Sequence, residues 1–122
     1  MLIDALTGPR RSASGLRDLL AGPEPVTIST IVLFEWLRGP RISQETDAQE
    51  ALFPAADSAP FGFFEARIAS HLYKTVRKAR GREADLAIAA CAQAADASLW
   101  TLNEKDFADI PNLKLWRPGS EA

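Results

Sequence analysis

Along this chain apolar residues recur at two spacings, and the spacing sorts its segments into helices and strands. Leu2 to Leu6 form a short apolar stretch closed by Thr7-Gly8-Pro9. Leu16, Leu19 and Leu20 then fall at helical spacing within a helix predicted over Ser12 to Leu20, which Gly22-Pro23 stops. Val26-Thr27-Ile28 is β-branched throughout and predicts a strand. Ser29 or Thr30 follows as the N-cap of a helix that runs to Arg38 and halts at Gly39-Pro40. Ser43 to Leu52 predicts a polar helix, and Phe53 to Pro60 a turn-rich connection. Phe64, Ile68, Leu72 and Val76 recur every four residues, which predicts a longer helix over Phe63 to Ala79. Between Ala84 and Ala97 eight of fourteen positions are alanine, so the helix predicted from Glu83 to Ala97 has high propensity and can approach its neighbours closely. Ser98 to Leu102 reads as a strand, Asn103 to Asp109 as a loop with a turn of helix, and Leu113 to Trp116 as a last strand. Strands alternating with helices predict an α/β fold with a largely parallel sheet.

Composition narrows the class without changing that pattern. A chain of 122 residues, 47% hydrophobic and 25% charged, has the size and balance of one folded domain. The longest apolar runs, such as Ile31 to Phe34, fall far short of the about 20 residues a bilayer span needs. Arg10 and Arg11 follow the first apolar patch instead of preceding it, which is the wrong order for a secretory signal. A lone cysteine, Cys91, fits a reducing compartment, so the expected location is the cytoplasm. Net charge is only −2, yet Arg67, Lys74, Arg77, Lys78, Arg80 and Arg82 stand together with no acid among them.

Parallel sheets place binding groups beyond the carboxyl ends of their strands, and three carboxylates fall there. Glu35 is the only charge in Ile31-Val32-Leu33-Phe34-Glu35-Trp36-Leu37, directly after the first predicted strand. Asp85 opens the alanine-rich helix, where the helix dipole favours an anion, but Ile88, Ala89 and Ala92 put it on the face that packs inward. Asp106 lies three residues after Asn103, just beyond the strand ending at Leu102. Acids gathered on one sheet edge repel one another and call for a cation. Oxygen donors without a second cysteine or a second histidine beside His71 select magnesium or manganese over zinc. Such an ion suits phosphate chemistry, because it activates water and stabilises charge on phosphate oxygens.

These segments resemble the PIN-domain ribonucleases, in particular the VapC-type toxins of bacterial toxin–antitoxin pairs. Ile28 to Gly39 looks like the segment carrying the family's second acid, here Glu35. Asp85-Leu86-Ala87-Ile88-Ala89-Ala90 is similar to the stretch carrying the third, and Thr101 to Phe107 with Ile110-Pro111 resembles the closing motif with Asn103 and Asp106. The resemblance implies a three-layer PIN-like fold with a mostly parallel central sheet flanked by helices, spanning residues 1–122 as a single domain. It further implies a Mg2+- or Mn2+-dependent endoribonuclease in which Glu35, Asp85 and Asp106 hold metal and are catalytic, Asn103 supports them, and Arg80 and Arg82 bind the RNA substrate. A cognate antitoxin and a homodimer are implied with it. The family's opening strand, with its first acid, would lie upstream of Met1, with Asp4 as a fallback ligand. The alternative is a catalytically silent PIN-like protein-interaction module that still binds an antitoxin. A receiver-like regulator would instead want a lysine at the end of a late strand, where Asn103 and Glu104 stand.

Overall fold

The computed structural model describes residues 17–18, 20–23 and 25–117. Four α-helices lie wholly among the described residues: α1 over Thr30–Leu37, α2 over Ser43–Leu52, α3 over Phe63–Thr75 and α4 over Glu83–Ala94. Short 3-10 turns at Ala55–Asp57 and Glu104–Asp106 join them to the connecting chain. The predicted segment Leu2 to Leu6, Asp4 and most of the helix Ser12 to Leu20 lie outside the described residues.

Three of the four helices, α1, α2 and α3, begin where a side-chain oxygen satisfies a free backbone donor. Ser29 is the N-cap of α1, its hydroxyl accepting from the Val32 N–H at 3.1 Å. Glu45 and Glu65 each reach back to the N–H ahead of their helix, Ile42 for α2 and Gly62 for α3, both at 3.1 Å. The helix predicted to reach Ala79 stops at Thr75. Val76 is already extended, and the chain then passes through left-handed backbone at Lys78 (φ 54°) and Gly81 (φ 86°) before α4. The alanine-rich helix likewise ends at Ala94, short of Ala97, with Asp96 left-handed behind it.

The α/β expectation does not hold: among the described residues there is no β-ladder. Among the described residues the three-layer arrangement around a parallel central sheet is therefore corrected to a packing of helices and loops, with no sheet at all where more than one strand was expected. The predicted strands survive as two isolated parallel bridges, Ser29 with Ala59 and Leu99 with Leu115. Ala59 donates to the Ile28 carbonyl and accepts from the Thr30 N–H, both at 2.9 Å. Leu99 donates to the Lys114 carbonyl and accepts from the Trp116 N–H, both at 2.8 Å. The physical reason is local. Thr30 turns into α1 one residue past the first bridge, and neither bridge finds a third described segment to extend it into a ladder.

Two apolar clusters hold the chain together. The larger buries Leu72, Ala79, Leu86, Ile88, Ala89, Phe107 and Ile110, with Ile68, Val76 and Leu99 packed against it. It lies where α3 packs along α4, and Ala89 and Ala90, fully buried, permit the close approach that the alanine pattern predicted. The smaller centres on Trp36 and Phe53, with Val26, Ile28 and Trp100 around them. Arg41 closes it, stacking on the Trp36 ring at 3.8 Å and donating from Nε to the Trp36 carbonyl at 2.8 Å.

Candidate functional site

Glu35, Asp85 and Asp106 arrive on three different segments: the second turn of α1, the first turn of α4 and the 3-10 turn after Asn103. α1 touches α4, and the Asp106 turn leans on the start of α4 through Arg82. The segments that carry the three acids are thus neighbours. Their electrostatic effect falls on Asp85, whose carboxyl is pushed above its usual range by partial burial first, then by the charges of Asp106 and Glu35, with Arg82 pulling the other way.

Proximity of this kind is not a metal site. Carboxylate oxygens bind a divalent ion only when several converge at about 2.0–2.6 Å from one point. Among the described residues no group of three or more His, Cys, Asp and Glu side chains is placed to do so. The expected Mg2+ or Mn2+ site is therefore corrected. With it fall the metal-activated water and the assignment as an active metal-dependent ribonuclease, nuclease or hydrolase, since that reaction was to run through the ion and the sheet edge that would gather its ligands. His71 is exposed on α3 and Cys91 is buried in α4 with its thiol pushed up by burial and by Glu65, so neither joins the acids.

Asn103 is exposed; its N–H donates to the Thr101 hydroxyl at 3.1 Å and its carbonyl accepts from the Asp106 N–H at 2.9 Å. It shapes the turn through its backbone. Arg80 stays exposed, whereas the half-buried Arg82 is taken up by contacts within the chain. Its guanidinium forks onto both oxygens of Asp109, at 2.7 and 3.0 Å, and also donates to the carbonyls of Asp106 at 2.9 Å and Arg77 at 3.2 Å. Asp109 is held below the usual carboxylate range by that hydrogen bond, and Arg82 is raised by the same contact. Sequence reasoning missed this clamp, because 27 residues separate the partners and no local spacing announces them.

Beside the clamp lies an open groove of about 480 Å³ lined by Arg77, Lys78, Arg82, Lys105, Asp106 and Asp109. On the opposite side of the charge balance stand exposed aromatics: Phe34 on α1 and Phe63 and Phe64 at the start of α3. The segment just ahead of α3 meets the start of α1, where the Phe61 N–H donates to the Thr30 hydroxyl at 3.1 Å. Phe34 lies one turn beyond Thr30 on the same helix.

Among the described residues the acids act on Asp85 without forming a cation cage, and Phe34, Phe63 and Phe64 stand in solvent. Comparison with known proteins places the chain within a family. The PIN-domain description matches residues 1–113, and the chain belongs to the PIN-domain family. It is 36% identical over 114 residues to ribonuclease VapC19 of two Mycobacterium tuberculosis strains, covering 92% of this chain and 90% of that protein. It is also similar to a chain in the crystal structure of VapBC2 from Rickettsia felis bound to a DNA fragment from their promoter, with a TM-score of 0.72 and 26% identity over 93% of this chain and 90% of that one. The overall backbone path is thus similar to that of the VapBC2 chain. No helix among the described residues is long and apolar enough to cross a membrane.

Proposed function

We propose that this chain is a catalytically silent PIN-family interaction module whose partner is an antitoxin-like protein. The observation that carries the reading is the state of the acidic site. Burial first, and then the charges of Asp106 and Glu35, raise the Asp85 carboxyl, while no described group of acids is arranged as a metal cage. Such a site is relieved by a cationic side chain brought by a partner, which interacts with separate carboxylates through hydrogen bonds and needs no shared coordination point. On this reading Glu35, Asp85 and Asp106 are docking residues, with Asn103 shaping the turn that carries Asp106. The exposed Phe34, Phe63 and Phe64 supply the apolar contact that charge pairing alone lacks. Similarity to a chain of a VapBC complex favours an antitoxin as that partner. The same aromatic face would serve if two copies pair, which sedimentation of the purified chain tests directly.

The deciding experiment mixes the purified chain with the antitoxin-like protein encoded beside it and follows binding by calorimetry, alongside an RNA cleavage assay with and without Mg2+. The expected result is a stable complex that Asp85→Asn weakens about tenfold, as expected for loss of one partner of a half-buried charge pair, and no metal-dependent cleavage. Cleavage that requires Mg2+ and disappears in Asp85→Asn would overturn the reading.

A further inference from the structure

A second groove, also of about 480 Å³, lies at the other end of α4 from the acids and shares no lining residue with the first. Asp85 opens that helix and Gln93 stands near its end, about 12 Å further along the axis at 1.5 Å per residue. The acids play no part in it.

Its near wall is α3, where residues four apart share a face. Ile68 and Leu72 make an apolar stripe there, and Arg67 and His71 stand beside them at the same spacing, all four lining the groove. Ala97 and Pro111 continue the apolar floor from the far side. That far wall is pinned by contacts within the chain: Gln93 Nε2 donates to the Pro111 carbonyl at 2.8 Å, and Lys114 pairs with Asp96 at 2.7 Å. A groove of this volume, with an apolar floor, few polar groups and walls fixed by their own hydrogen bonds, has the make-up of a small-molecule site.

The charges select the class of ligand. Asp96 is the one acid that lines the groove, and Lys114 neutralises it, with their hydrogen bond holding the Asp96 carboxyl below the usual range. Arg67 is different: it forms no ion pair among the described residues. Its guanidinium leans on the Phe63 ring, 5.7 Å from the centroid, a contact with the ring face that leaves the N–H donors free. His71 adds a ring N–H one turn further along α3. One unmatched cation calls for one anion, and a fork of N–H donors fits a carboxylate. A dianionic phosphate would leave a charge uncompensated.

We propose that this groove binds a small amphipathic monocarboxylate, with its carboxylate on Arg67 and His71 and its hydrocarbon body on Ile68, Leu72, Ala97 and Pro111. The inference stands on the far end of α4 and is independent of the interaction-module reading.

The test titrates the isotope-labelled full chain with phenylpropionate, with the neutral phenylpropionamide and with inorganic phosphate, and follows backbone amide chemical shifts. Phenylpropionate should shift the amides of Ile68, Leu72 and Ala97 and bind about three- to fivefold more tightly than phenylpropionamide, the size of one partly exposed charge contact. Arg67→Gln should erase that advantage while leaving the affinity for phenylpropionamide and the Tm unchanged, because Arg67 is exposed. Ala97→Trp, at another exposed position, should weaken both probes about tenfold by filling the groove. Inorganic phosphate should move none of the three amides. Equal affinity for the two probes overturns the proposal, as does an advantage that survives Arg67→Gln or a phenylpropionate titration that leaves the three amides unmoved. Displacement of phenylpropionate by phosphate also overturns it, since the attraction would then be one of charge alone.

Discussion

Asp85 and Asp109 stand close together in space and titrate in opposite directions, and the difference is one of neighbours. Asp85 is partly desolvated and faces two acids, so its proton is held more tightly in the folded chain than in the unfolded one. The native state then binds more protons than the unfolded state above the ordinary carboxylate pKa, and stability falls as pH rises from there through the folded value. Asp85→Asn removes that component. Urea denaturation of the two proteins between pH 4 and 7 should show a smaller decline for the variant, and parallel curves would refute the assignment. Asp109 works the other way. Its folded pKa is depressed by Arg82, so the stability it contributes is present above the unfolded value of about 3.9 and is lost as pH falls through the folded one. A double-mutant cycle of Arg82→Gln and Asp109→Asn at neutral pH should give a coupling of about 0.5–1 kcal/mol, since half of Asp109 is in solvent. That coupling should vanish in acid.

At the scale of the elements, α4 is the piece the others depend on. Its buried face runs from Leu86 to Cys91, and its alanines let α3 lie against it with little side chain between. Ala89→Leu is expected to cost about 1–3 kcal/mol by overpacking, read as a lower urea midpoint at constant m. Leu86→Ala, at a site 1% exposed, should cost about 2–5 kcal/mol through the cavity it leaves. α2 was the most legible element, with the predicted bounds Ser43 to Leu52, while α4 starts at the predicted Glu83 and stops short of Ala97. Ser29 as a cap and Gly39-Pro40 as a stop were equally visible, since caps are local chemistry. Strands were not legible in the same way. Val26-Thr27-Ile28 has the residues of a strand, but a strand is completed by a partner elsewhere in the chain, and here the pairing ends at single bridges. The candidate site divides along the same line: the segments that carry Glu35, Asp85 and Asp106 were legible, whereas the lack of ligand convergence among the described residues and the Arg82–Asp109 clamp are tertiary facts that no spacing encodes.

For the whole molecule the unequal size of the two clusters has a measurable consequence. The larger one joins α3, α4 and the segment around Phe107 and Ile110 through seven buried side chains, while the smaller has only Trp36 and Phe53 buried. Without a ladder between them, little backbone hydrogen bonding forces the two to open together. The tryptophans all report on the smaller one: Trp36 is its centre, Trp100 packs against it, and Trp116 meets Trp100 edge-on at 5.3 Å between ring centroids. Far-UV circular dichroism instead follows mainly α3 and α4, two of the longer helices among the described residues and those buried in the larger cluster. In a urea titration the fluorescence transition should therefore precede the helical one, a departure from two-state behaviour. Phe53→Ala should widen the gap by lowering the fluorescence midpoint while leaving the helical one nearly in place. Superimposable transitions in both proteins would mean that the clusters unfold as one unit, and that contacts other than a ladder couple them.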